Sequence, residues 1–214
     1  MTIAAPSHPD SPQHLRLDGI SWEFYERLLE ELNDRPIQVT FDNGSLEIIA
    51  PLPPHEIWKK RVAMLVECMA IELDIDIRPL GSTTFKREDL EKGFEPDECY
   101  YIQHADAIGN KQELDLTIDP PPDLSVEVDI TRWSIPRQPI YAALGIPELW
   151  RFENRRLTVL HLDAGIAQYV RATSSLAFPF LPIAEFEKFL LRLEKESQTK
   201  VLREFRDWVK TLPM

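Results

Sequence analysis

The sequence predicts a single α/β or α+β domain built around a mixed β-sheet. The chain has 214 residues, 43% of them hydrophobic, which suits one domain with a real core and excludes global disorder. Segments with helical spacing of apolar residues alternate with short β-prone runs. Residues 1–14 are rich in Pro and Ser, and no linker follows them. We therefore expect a flexible tail over residues 1–14 and one domain over residues 15–212.

The first half of the chain predicts a helix, a hairpin and a second helix. Ser21 is a suitable N-cap for WEFYERLLEEL, whose apolar residues recur at helical spacing. The pair Asn43-Gly44 stands between two β-prone runs, which is a strong hairpin signal. Helical spacing returns from about His55 to Leu73. The residues that fall on neighbouring turns of this second helix are Ile57, Arg61, Met64, Leu65, Cys68 and Glu72.

The second half predicts the main strands of the sheet. EPDECYYI (95–102) and DLSVEVDI (123–130) have strand character, with short extended pieces before them near 75–80 and 82–85. PIYAALG predicts a short helix that ends at Gly145 and Pro147. ELWRFE and LTVLHLD predict a hairpin, which AQYVRA extends. The tail over 183–211 has helical spacing throughout.

Charge and composition exclude several classes of protein. The net charge is −12, and residues 88–129 alone hold 13 acids and 2 bases. Such acidity argues against a general nucleic-acid coating protein, which is usually basic. No run of 18 apolar residues is present, so we expect no membrane span. The start of the chain lacks the pattern of a secretory signal. Cys68 and Cys99 have neither metal nor disulfide spacing, which favours two free thiols in a cytoplasmic protein.

The acidic strand carries the most informative pattern. In DLSVEVDI the side chains of Asp123, Ser125, Glu127 and Asp129 share one face of the strand. Carboxylates stacked in this way repel one another, and a divalent cation would remove that penalty. A solvated surface strand would show the same alternation. Both interpretations remain open at this point, and nearby residues add to the first. Pro96-Asp97 stands 30 residues before Glu127, and Arg137 follows it by ten.

Several of these segments together resemble one protein family. The stretch PPPDLSVEVDITRWSIPRQPIYAALGIPELWRF, the Asn-Gly hairpin, the helix after PLPPHE and FEPDECYYI resemble the Uma2 family of putative restriction endonucleases. That family lies in the PD-(D/E)XK nuclease-like superfamily, and the resemblance covers roughly residues 15 to 212. It implies a restriction-endonuclease-like mixed sheet flanked by helices, with an N-terminal helix-hairpin unit and C-terminal helices. It also implies that the acids lie at one end of the sheet.

The resemblance further implies a metal site. Asp97 and Glu127 correspond to the superfamily acids that bind Mg²⁺ or Mn²⁺, and Glu56 corresponds to an acid on the first core helix. The backbone carbonyl of Val128 would add a neutral ligand. Asp129 occupies the usual lysine position, so the basic residue of the site would be Arg137. Arginine stays protonated and cannot act as a general base. Asp129 would then be either an additional metal ligand or the partner that neutralises Arg137.

The sequence therefore predicts a metal-dependent DNA endonuclease that hydrolyses phosphodiester bonds. One alternative is a non-catalytic nucleic-acid-binding or regulatory protein that retains the fold, and another is an acidic scaffold that assembles through its C-terminal helices. We expect Arg132 and Arg151 to contact DNA, together with Arg155 and Arg156. A homodimer is predicted because related nucleases often cut two strands as dimers. Trp133 and the amphipathic tail would supply its interface.

Overall fold

The computed structural model of the chain describes residues 13–32, 35, 37–129 and 134–213, which form two β-sheets flanked by helices. The helices are α1 (Trp22–Leu32), α2 (Pro53–Glu72), α3 (Ala105–Ile108), α4 (Arg137–Ala143), α5 (Ile183–Arg192) and α6 (Gln198–Val209). The strands are β1 (Gln13–Asp18), β2 (Gln38–Asp42), β3 (Ser45–Ala50), β4 (Arg78–Pro79), β5 (Phe85–Arg87), β6 (Lys92–Phe94), β7 (Glu98–Tyr101), β8 (Leu124–Asp129), β9 (Glu148–Glu153), β10 (Arg156–Asp163) and β11 (Gln168–Ala172). No helix in these described ranges is long and apolar enough to cross a membrane.

The first sheet contains the predicted N-terminal hairpin. Its strand order is β1-β3-β2-β6-β5, and all its described pairs are antiparallel. The predicted helix is confirmed as α1, where the Ser21 hydroxyl accepts the amide of Phe24 at 3.3 Å. The predicted turn is also confirmed, with positive φ at Asn43 and Gly44. The structure adds β5 and β6 to this hairpin. Residue 13 already belongs to β1, whereas the rest of the predicted tail up to residue 12 lies outside the described residues.

The second sheet carries the acidic strand. Its strand order is β11-β10-β9-β8-β7-β4, and β8 with β9 forms a parallel pair among otherwise antiparallel described pairs. The predicted mixed sheet is therefore confirmed. The chain passes from β6 in the first sheet to β7 in the second through residues 95–97. This passage places Asp97 at the junction of the two sheets.

Both faces of β8 are buried. Leu124, Val126 and Val128 pack into the largest core, which also contains residues of α2, α5 and α6. On the opposite face, Ser125 and Glu127 are buried near α4, and a second core lies there. A solvated acidic face is therefore absent along most of the described strand.

Helix α2 buries a different stripe from the predicted one. The polar residues His55 and Lys59 begin the buried stripe, which continues through Val62, Val66 and Met69. These positions follow helical spacing toward the sheet. Most of the predicted stripe lines a groove between α2 and α6 instead. As a result, α2 directs two titratable side chains toward the acids of β7 and β8.

The C-terminal tail forms two helices rather than one continuous helix. Residues 194–200 (EKESQTK) contain no apolar side chain, so nothing anchors that segment to the core. On either side of it, Phe186, Leu190, Val201 and Phe205 are buried. The apolar face that the sequence offered for a dimer interface is therefore used within the chain. Trp133, the other expected interface residue, lies outside the described residues.

Candidate active site at the junction of the two sheets

Asp97 is fully buried, with no exposed surface. Its Oδ1 accepts a hydrogen bond from Gln38 Nε2 at 2.6 Å, and its Oδ2 accepts one from the Val128 amide at 2.6 Å. His55 Nε2 lies 3.1 Å from Oδ1, an ion-pair distance without the alignment of a hydrogen bond. Burial alone would raise the pKa of Asp97, but the contact with His55 and the nearby charge of Arg137 lower it overall. Asp97 is therefore held as an ionised acceptor.

Glu127 lies beside Asp97 on the next strand and is 5% exposed. Arg137 Nη1 donates to its Oε2 at 2.7 Å, whereas its Oε1 is buried and has no hydrogen-bond partner among the described residues. Burial raises the pKa of Glu127 to about 8, and the charge of Asp97 adds to this rise while Arg137 opposes it. One oxygen of the carboxyl group is thus bonded to Arg137, and the other is buried without a hydrogen-bond partner among the described residues.

Arg137 is the first residue of α4, and it is nearly buried. In addition to Glu127, it contacts β2, because its Nη2 donates to the Thr40 hydroxyl at 3.2 Å. The segment that leads into α4 is held by Glu47, a fully buried residue of β3. Glu47 Oε1 accepts the amide of Ser134 at 2.8 Å and its hydroxyl at 2.6 Å. The N-terminal hairpin thereby sets the position of the arginine over the acidic strand.

Asp129 pairs with Arg151 of the neighbouring strand β9. It lies on the same face of β8 as Glu127, and Arg151 Nη2 donates to its Oδ2 at 2.5 Å. Arg151 also contacts Glu153 at 3.0 Å. Asp129 is therefore neutralised by the neighbouring strand β9, and Arg137 remains directed at Glu127.

Glu56 lies at the edge of the site, next to His55 and Lys59. It lies in the first turn of α2 with a side chain that is 43% exposed. Its Oε1 lies 3.3 Å from His55 Nδ1, and its Oε2 lies 4.0 Å from Lys59 Nζ. Burial alone would lower the pKa of His55, but contacts with Asp97 and Glu56 raise it overall. The predicted acid on the first core helix is thus close to the site without touching Asp97 or Glu127.

Several site residues were missed by the sequence analysis. Gln38 and Thr40 alternate along β2 like the residues of any surface strand, and Glu47 on β3 gave no signal at all. Glu95, two residues before Asp97, accepts a hydrogen bond from the Thr84 hydroxyl at 2.9 Å. Burial raises its pKa, and Arg137 and Lys59 are among the cations that oppose the rise. The remaining missed residues are His55 and Lys59, whose helical spacing with buried apolar positions was the only available signal.

A cleft beside β8 gives access to part of this site. It has a volume of about 530 Å³, and its lining includes Glu127, Asp129, Arg137 and Arg151. A second cleft of about 630 Å³ shares Arg151 and extends to Arg155 and Arg156. Three of the residues expected to contact DNA, Arg151, Arg155 and Arg156, thus lie along one surface that begins at Glu127. Arg132 lies outside the described residues.

The donor atoms suit a hard divalent cation, because the acids present oxygen ligands. Glu127 Oε1, which has no hydrogen-bond partner among the described residues, is the atom that could bind such an ion. Within the described ranges, no three Asp, Glu, His or Cys side chains form a group that would hold an ion by themselves. Asp97 and Glu127 are the two buried carboxylates that could hold such an ion, and other oxygen ligands would be needed to complete its coordination.

Comparisons with known proteins complete the description of the chain. A solved structure similar to it is that of a putative nuclease belonging to DUF820 from Anabaena variabilis, with 14% sequence identity and a TM-score of 0.46. The match covers 78% of this chain and 90% of that one. Among curated proteins, none matches the sequence. The model of the Uma2 family, described as "Putative restriction endonuclease", matches residues 22–192. Because this match spans well over half of the sequence, the chain belongs to the Uma2 family.

Proposed function

We propose that the protein is a metal-dependent endonuclease that hydrolyses phosphodiester bonds in DNA, with Mg²⁺ or Mn²⁺ as its cofactor. The observation that carries the proposal is the pair of buried acids at the sheet junction. Asp97 accepts a hydrogen bond from the Val128 amide, next to Glu127, at 2.6 Å, and Arg137 donates one to Glu127 at 2.7 Å. Burying two carboxylates next to each other costs stability, which is typical of a functional site.

Asp97 and Glu127 would hold the ion, with the carbonyl of Val128 as the neutral ligand that the family resemblance implies. When bound, the ion would lower the pKa of a coordinated water and polarise the scissile phosphate. Asp129 is a weaker candidate ligand, because Arg151 already contacts it. We assign Asp129 to the orientation of Arg151 at the rim of the cleft.

Arg137 would stabilise the negative charge that develops on the phosphate. Its guanidinium is fixed by Glu127 on one nitrogen and by Thr40 on the other, so it needs little rearrangement during the reaction. It keeps its proton and therefore acts by charge rather than as a base. By analogy with the superfamily, attack would be in line and would leave a 5′-phosphate and a 3′-hydroxyl.

DNA would approach along the two clefts that share Arg151. Arg155 and Arg156 extend this surface away from the acids, which matches the path of a phosphate backbone. The chain has a net charge of −12, so this local cluster of arginines is needed to overcome the general repulsion of DNA. We propose that these arginines position the backbone and that Glu127 marks the point of cleavage.

Nicking of supercoiled plasmid DNA in the presence of Mn²⁺ tests this function. We expect the wild type to nick and Asp97→Asn not to nick, because the neutral amide removes a charged ligand. Asp163→Asn is the matched control, since it makes the same change on an exposed residue of β10 outside both clefts. Equal nicking by wild type and Asp97→Asn would refute the proposal.

A non-catalytic descendant of the fold is the second candidate, because Arg137 contacts one of the two carboxylate oxygens of Glu127. An arginine in that position competes with a cation for the acid. In this case the wild type would bind DNA without nicking it at any Mn²⁺ concentration. Arg137→Lys is then the variant to test, because lysine is the residue that the superfamily pattern uses.

We further propose that the protein acts as a homodimer in the cytoplasm. Support for the dimer comes from the chemistry, because two copies would provide one site for each strand of a duplex. Cys68 and Cys99 are unpaired in the structure, as the sequence predicts for a cytoplasmic chain. A monomeric mass in solution scattering at micromolar concentration would contradict the dimer.

A further inference from the structure

Strand β2 directs two buried polar side chains at the acids of the second sheet. Gln38 and Thr40 are two positions apart, so they lie on the same face of the strand. Gln38 is 5% exposed and Thr40 is fully buried. Thr40 accepts a hydrogen bond from Arg137, and Gln38 donates one to Asp97. The first sheet therefore contributes directly to the acidic site.

The chemistry of Asp97 determines the orientation of the Gln38 amide. Both oxygens of the Asp97 carboxylate accept hydrogen bonds, one from Gln38 and one from the Val128 amide. The Nε2 atom of Gln38 must therefore face Asp97, as the 2.6 Å distance indicates. The carbonyl oxygen Oε1 is then the free end of the side chain. It is buried and has no hydrogen-bond partner in the described part of the chain.

Two buried oxygens, one of an amide and one of a carboxyl group, are left without a hydrogen-bond partner among the described residues: Gln38 Oε1 and Glu127 Oε1. Both belong to the surroundings of Asp97. Gln38 donates a hydrogen bond to the Asp97 carboxylate, and the amide of Val128, which follows Glu127, donates one to the same carboxylate. A buried polar oxygen without a partner costs stability, and both of these oxygens belong to side chains that interact with Asp97, which favours a cation as the missing partner. Neutral amide oxygens and carboxylates are both ligands for hard divalent cations.

We infer that Gln38 is a neutral ligand of the divalent-cation site, which binds the ion through Oε1 while its Nε2 holds Asp97. The inference rests on the proposed metal-dependent function. It assigns a role in the site to a residue of the N-terminal hairpin, outside the acidic strand pair. One amide would thus serve both the ion and one of its carboxylate ligands.

Calorimetric titration of Mn²⁺ into three variants tests this role. Gln38→Met keeps the length of the side chain but removes both polar groups, and we expect its Mn²⁺ affinity to fall by roughly 10- to 100-fold. Gln38→Glu keeps an oxygen at the same position while it loses the donor to Asp97, and we expect it to bind Mn²⁺ at least as tightly as the wild type. Gln168→Met makes the same change on an exposed residue of β11 and is the control, with affinity expected to be unchanged.

The outcomes separate this inference from the proposed function. Loss of affinity in Gln38→Met but not in Gln38→Glu supports a ligand oxygen. Equal losses in both variants would overturn the inference, because the shared defect would be the missing donor to Asp97. Wild-type Mn²⁺ affinity in Gln38→Met would also overturn the inference about Gln38. If Asp97→Asn lost Mn²⁺ affinity in that case, the proposed metal site would still stand without Gln38 as a ligand. No binding to the wild type would overturn both proposals. Thermal unfolding in EDTA checks that each variant is folded, and Gln38→Glu remains informative if Gln38→Met is not.

Discussion

Glu127→Gln is expected to change how the stability of the protein depends on pH. Burial raises the pKa of Glu127 from 4.5 to about 8. Between these values the folded chain holds a proton that the unfolded chain has lost, so the stability of the wild type falls as the pH rises through this window. At 1.36 kcal/mol per pH unit, this contribution amounts to about 5 kcal/mol of unfolding free energy across the window. The glutamine variant has no carboxyl group to titrate and lacks this loss.

Urea denaturation in EDTA at about pH 5 and about pH 9 measures the effect. We expect the variant to gain stability relative to the wild type as the pH rises, by up to the full amount calculated above. The contact with Arg137 opposes the rise in the pKa of Glu127, so its effect is already included in the expected difference. Glu113→Gln makes the same change on an exposed residue outside the site and controls for the change in net charge. A stability difference between Glu127→Gln and wild type that is the same at both pH values would refute this reasoning.

Three further predictions address the support of the site and its DNA surface. Glu47→Ala should lower the unfolding free energy by about 2–4 kcal/mol, because the amide and hydroxyl of Ser134 lose their acceptor, and Glu47→Gln should cost less. Thermal unfolding of the two variants checks this, and equal melting would contradict it. Replacing Arg155 and Arg156 by Ala should reduce the salt dependence of DNA binding by about 0.9 in log–log slope per residue, as measured by fluorescence anisotropy. An unchanged slope would place DNA elsewhere. Arg137→Met should slow plasmid nicking by about 10²–10³-fold, whereas Arg137→Lys should retain more activity. An equal loss of nicking activity in both variants would mean that a positive charge at position 137 is not sufficient for catalysis.

The sequence predicts the elements of the fold well because their signals are local. A capping serine, an Asn-Gly turn and the alternation of DLSVEVDI each specify a structure within a few residues. The division of the strands into two sheets was not predictable in this way. It depends on β5 and β6 joining the hairpin, and these strands have only three residues each. The break between α5 and α6 reflects a polar segment that helical spacing alone does not exclude.

The candidate site was predicted in outline, since Asp97, Glu127 and Arg137 converge as the family pattern implies. What the sequence could not reveal is the second layer around them. His55 appeared to be an ordinary residue at a helix start, because the apolar stripe of α2 was assigned to the wrong side of the helix. The partner of Asp129 could not be identified either, because it depends on the register of β8 with β9. Such contacts arise from tertiary packing, which leaves no periodic signal.

The most direct test of the account is calorimetric titration of Mn²⁺ into wild type, Asp97→Asn and Glu127→Gln, with plasmid nicking assayed in the same samples. We expect the wild type to bind Mn²⁺ and to nick DNA, and we expect both properties to be lost in the two variants. Binding by the wild type without nicking would indicate a site disabled at Arg137. An absence of Mn²⁺ binding by the wild type at millimolar concentration would contradict the central claim, and the buried acids would then be a structural feature of the fold.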